Sequence, residues 1–138
     1  MMDAIEPKIK PLVDALNETG VVRTFSSCEG HFGPDEQTLV DRNHAEVRFI
    51  PAAGIPIAEV ETLLAYILTR YKNQHGIVPV NLRGFRLYTP IDEDAVEETF
   101  VVELRPFNRF DQPGQKRADI DRAIQQTIRL VAHFRQAR

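Results

Sequence analysis

Apolar residues recur along this chain with two spacings, one near 3.6 residues and one of two. The switches between them divide it into seven elements. Ile5, Ile9, Leu12 and Leu16 fall on one face of a helix expected over Asp3 to Asn17, with Pro7 in its first turn and a kink or restart at Pro11. Gly20 is the expected left-handed residue that ends it. A β-rich run follows from Val21 to Ser27, with imperfect alternation: Val21 and Phe25 on one face, Val22 on the other. Ala45 to Ile50 alternates cleanly, Ala45, Val47 and Phe49 against Glu46 and Arg48. After a turn at Pro51–Pro56, Val60, Leu64, Ile67 and Tyr71 form the stripe of a second helix that runs to about Gln74 and closes at His75-Gly76.

The second half repeats the scheme. Gly84 to Thr89 reads as a strand with Phe85 and Leu87 inward and Arg86 and Tyr88 outward. Thr99 to Pro106 reads as another, with Phe100, Val102 and Leu104 inward and Glu103 and Arg105 outward. Between them lies an acidic turn, Asp92 to Glu98. A loop over Asn108 to Gln115 precedes a last helix, Arg117 to Arg135, whose stripe is Ile120, Ile124, Ile128, Val131 and Phe134. The order α-β-β-α-β-β-α predicts a two-layer α+β fold with a four-stranded, mostly antiparallel sheet and three helices on one face. The other face is then left to Glu46, Arg48, Arg86, Tyr88, Glu103 and Arg105, as cross-strand ion pairs or as a binding platform.

Composition narrows this picture. The 138 residues form a single domain, 1–138, long enough for one core without staples. Hydrophobic residues at 43% and charged residues at 27% are the balance of a globular, ordered chain. The one cysteine forms no internal disulfide, the N-terminus lacks a secretory h-region, and no apolar run approaches the roughly 20 residues of a membrane span. A cytoplasmic location and no membrane partner are expected. Residues 1–100 carry nine Lys/Arg and sixteen Asp/Glu, a net charge of −7; residues 101–138 carry eight and four, a net of +4. The basic tail reads as a solvated helix face, or as a surface for a phosphate-bearing partner. The acidic remainder opposes a general nucleic-acid surface, so tight RNA binding is not expected.

Candidate chemistry gathers in Thr24-Phe25-Ser26-Ser27-Cys28-Glu29-Gly30-His31-Phe32-Gly33. Cys28, Glu29 and His31 are the candidate catalytic residues: a nucleophile, a carboxylate and a proton carrier in one turn. Ser26, Ser27 and Gly30, with His44, Glu46 and Arg48 on the next strand, are the candidate ligand-binding residues. The alternative for Cys28 is a buried, inert side chain, and Glu29 beside it raises its pKa rather than lowering it. Cys28 and His31 have a Cys-x-x-His spacing, with His44 and Glu46 arriving on the next strand. Structural zinc sites show two cysteine-rich ligand clusters, however, and no metal site is assigned. The glycines at 30 and 33 match no P-loop or dinucleotide fingerprint, so no cofactor is assigned either.

The stretch Leu16-Asn17, Gly20 and Thr24 to His31 resembles the Ser-Ser-Cys-x-Gly region of the tRNA wybutosine-synthesising methyltransferases. Its Glu and His version looks like that of small uncharacterised bacterial-type proteins. The likeness runs on through Pro51, a central helix and Gly84-Phe85-Arg86. It implies a methyl donor and a tRNA substrate, and Ser26, Ser27, Cys28 and Gly30 carry over residue by residue. Where that family has Ser and Arg this chain has Glu29 and His31, and a His does not hold charge at neutral pH as an Arg does. Two functions are therefore expected. One is a small-molecule- or nucleotide-modifying enzyme centred on the motif loop. The other is a non-catalytic binding or assembly module, a homo-oligomer, in which the motif is a structural turn.

Overall fold

The expected order holds in the computed structural model, which describes residues 5–30, 44–108 and 110–137. The elements are α1 (Lys10–Glu18), β1 (Val22–Cys28), β2 (Ala45–Pro51), α2 (Ile57–His75), β3 (Val80–Pro90), β4 (Val96–Pro106) and α3 (Pro113–Ala137). The strands form one antiparallel sheet in the order β1-β2-β4-β3, so β2 and β4 are central and β1 and β3 are edges.

Register explains which face is core. Ala45, Val47 and Phe49 on β2 stand opposite Leu104, Val102 and Phe100 on β4, and all six are buried. Phe49 and Phe100 stack with ring centroids 6.2 Å apart. Onto this face the helices lay Leu12, Val13 and Leu16 from α1, Val60, Leu63 and Ile67 from α2, and Ile120, Ile124 and Val131 from α3. No helix among the described residues is long and apolar enough to cross a membrane.

Four details differ from the sequence expectation. The first helix begins at Lys10, and Pro11 lies in its first turn rather than at a kink; there its missing N–H has no intrahelical acceptor to lose. Both strands of the β3–β4 hairpin are longer than their apolar cores suggested, 11 residues each. A register shift between Thr24 and Ser26 makes Phe25 a bulge, which accounts for the irregular alternation of β1.

The fourth difference is the parity of β3. Leu82 and Gly84 face the helices, whereas Phe85 is exposed and Leu87 half-buried on the opposite side. The reason is the close approach of α2. A Cβ at Gly84 would lie 3.3 Å from Leu68 Cδ1 and 3.4 Å from Leu64 Cδ2, so the inward position is filled from the helix and not from the strand. Arg86 accordingly lies on the helix side. Its guanidinium sits 5.4 Å from the Phe100 ring centroid and pairs with Glu61 of α2 and, at 3.5 Å, with Glu98. Tyr88 shares its parity, so neither residue belongs to the opposite face, the one that no described helix covers.

These placements separate two phenylalanines. Phe49→Ala should cost about 3–5 kcal/mol of stability in urea unfolding, because it empties the centre of the core. Phe85→Ala should cost less than about 1 kcal/mol, the scale of a cross-strand pair with Val101. Equal losses would put Phe85 back in the core.

Candidate functional site

The motif sits where β1 ends. Beyond the bulge, Ser26 stands opposite Arg48, Ser27 opposite Val47 and Cys28 opposite Glu46. Alternation therefore sends Ser26 and Cys28 to the uncovered face and Ser27 to the helix side. The two adjacent hydroxyls do not share a site. Cys28 is half-buried, neither sealed in the core nor fully open. Gly30 follows with a φ of 90°, a left-handed conformation that favours glycine. His31 and the residues that follow it as far as Asn43 lie outside the described residues.

Among the described residues, Glu29 pairs with neither Arg48 nor Arg86. Its Oε1 accepts the backbone N–H of Lys8 at 3.0 Å, and its own N–H donates to Glu6 Oε1 at 3.0 Å. The two glutamates thus clasp the segment before α1 to the end of the edge strand. Nearby, Lys8 Nζ reaches Asp121 of α3 at 3.3 Å, and Arg117 Nε donates to the same carboxylate at 3.0 Å. Sequence reasoning missed Glu6, since nothing in the local pattern ties residue 6 to residue 29.

Cys28 has its thiol pKa raised. Burial is the largest cause, and the carboxylates of Glu6, which also hydrogen-bonds it, and Glu46 add to it; the backbone N–H of Gly30 acts the other way. The thiol is the resting form at neutral pH.

The other expected residues converge on the uncovered face. His44 precedes β2, two residues before Glu46, and Glu46 stands directly opposite Glu103 of β4. His44, Glu46 and Glu103 offer one ligand atom each, all within 4.8 Å of one another. Arginines surround them. Arg48 Nε lies 3.3 Å from Glu46 Oε1, Arg83 Nε lies 2.7 Å from Glu103 Oε1, and Arg105 Nε lies 3.6 Å from the same oxygen. Arg83 also lies over the Phe85 ring, 5.9 Å from its centroid. Glu103 is only 7% exposed and Val101 fully buried, although both point away from the helices. Arg83 was missed because the strand was expected to start at Gly84; the alternation Val80-Asn81-Leu82-Arg83 carried the signal.

No family model, curated protein or solved structure matches this chain.

The clasp and the thiol give one test. Alkylation of Cys28 should be slow at neutral pH and should accelerate only above the ordinary thiol value of about 8.5. Glu6→Gln, which keeps an acceptor oxygen for Glu29 N–H, should speed it at any given pH by removing one of the charges that raise the pKa. Cys28 also adds a pH dependence to folding. Its folded pKa is the higher one, so its share of stability is complete below the unfolded thiol pKa and is lost as pH rises through the folded value.

Proposed function

We propose that this protein is a non-catalytic binding module. Its uncovered sheet face takes a small anionic molecule bearing phosphate or carboxylate groups. The observation that supports this reading is the arrangement of Arg48, Arg83 and Arg105. Each turns its Nε toward Glu46 or Glu103. A guanidinium anchored through Nε presents its terminal fork in a fixed orientation, the geometry that suits two oxygens of one anion. Three arginines against two glutamates leave the cluster with a net positive charge, while residues 1–100 as a whole are acidic. Ser26, in register with Arg48, adds a hydroxyl at the margin.

A thiol enzyme built round the motif needs a thiolate at Cys28. Burial, Glu6 and Glu46 all work against one. Glu29 is meanwhile engaged with the backbone of Lys8. In this reading the motif braces the edge of the sheet that carries the binding face.

Calorimetric titration at low salt, with inorganic phosphate and with citrate as separate probes, tests the proposal. One or both should bind, more weakly as salt is added. Replacing Arg48 and Arg83 together by Gln should weaken binding by at least about tenfold, since hydrogen bonds to a charged group are worth about 1.5–3 kcal/mol each. Binding that ignores the double substitution, or no binding of either anion, would overturn it.

A further inference from the structure

We infer that His44, Glu46 and Glu103 form a site for one divalent first-row transition-metal ion, of the zinc, manganese or cobalt kind. The inference deepens the reading above in one respect, because the ion would lie on the anion-binding face. The cation site itself uses different atoms and stands or falls separately.

The sheet register makes the case. Glu46 and Glu103 are direct cross-strand partners on β2 and β4, and like charges directly opposite each other destabilise a sheet. The arginines offset this repulsion. Arg48 is paired with Oε1 of Glu46, and both Arg83 and Arg105 with Oε1 of Glu103. His44 lies just before β2, two residues from Glu46, and completes a set of one nitrogen and two oxygens.

Metal–ligand distances of about 2.0–2.2 Å put the donors of a tetrahedral ion about 3.4 Å apart. The observed limit of 4.8 Å closes to that by side-chain rotation, without moving the strands. An imidazole with two carboxylates suits a borderline transition ion, whereas magnesium and calcium take oxygen ligands. The buried position of Glu103 holds one ligand in place before the ion arrives, and the hydrogen bond from Arg83 Nε orients it.

Chelator-treated full-length protein, dialysed separately against zinc, manganese and cobalt salts and assayed by atomic absorption, should take up one ion per chain of at least one of them. His44→Ala should weaken that binding by about tenfold or more, the equivalent of about 1.4 kcal/mol. Glu46→Gln keeps an oxygen for Arg48 and should weaken it as well. Circular dichroism confirms that both variants are folded. No uptake of any of the three ions overturns the inference, as does wild-type affinity in a folded His44→Ala protein. If phosphate or citrate still binds in that case, only the metal site has failed. Metal uptake without anion binding would instead remove the anion reading and leave the metal site.

Discussion

The pairing of β2 with β4 is the constraint on which everything else rests. Ala45, Val47 and Phe49 must meet Leu104, Val102 and Phe100 on one face for the helices to have a surface to cover. With that register set, period-two alternation leaves no choice about the other face, and Glu46, Arg48, Glu103 and Arg105 are carried there together. A slip of one residue would exchange the two sets and bury four charges under three helices, at a cost far beyond the stability of a domain this size. The charged face is thus a by-product of the core, held in place by the same hydrophobic register.

Putting two glutamates opposite each other at the centre of a sheet requires compensation, and the arginines supply it. Their guanidinium groups anchor on the carboxylates, where Glu103 is buried. An ion pair as sheltered as that of Arg83 and Glu103 is weak evidence of stabilisation, because desolvation offsets much of the Coulomb attraction. Its clearer consequence is orientation. Charges that are fixed by partners and not dispersed in solvent are the kind that recognise a ligand.

The edge at β1 needs its own fastening. An edge strand with a bulge has fewer ladder hydrogen bonds than a central one. Here the Glu6–Glu29 clasp ties its end to the segment preceding α1, and Asn17 of α1 bonds Thr24 through both its backbone N–H and its hydroxyl. Cys28, Glu29 and Gly30 look like catalytic chemistry when read in a line. In space each has a structural partner or role: a carboxylate near the thiol, a backbone amide for the glutamate, a left-handed turn for the glycine.

The sequence by itself determined the order of elements, the α+β class, the faces of β2 and β4 and the apolar stripes of the helices. Each of these follows from a period that repeats within a few residues, and burial rewards that period wherever the element packs. It also placed Glu46, Arg48, Glu103 and Arg105 on one side, by alternation alone. Only the tertiary structure decided the parity of β3, because Phe85 and Leu87 are as apolar as any core residue and the deciding fact is a helix leaning on Gly84. The same holds for the partner of Glu29, 21 residues away from Lys8, and for the meeting of His44, Glu46, Glu103 and Arg83. Strand order and cross-strand register create those neighbours, and neither is written in any local spacing of the chain.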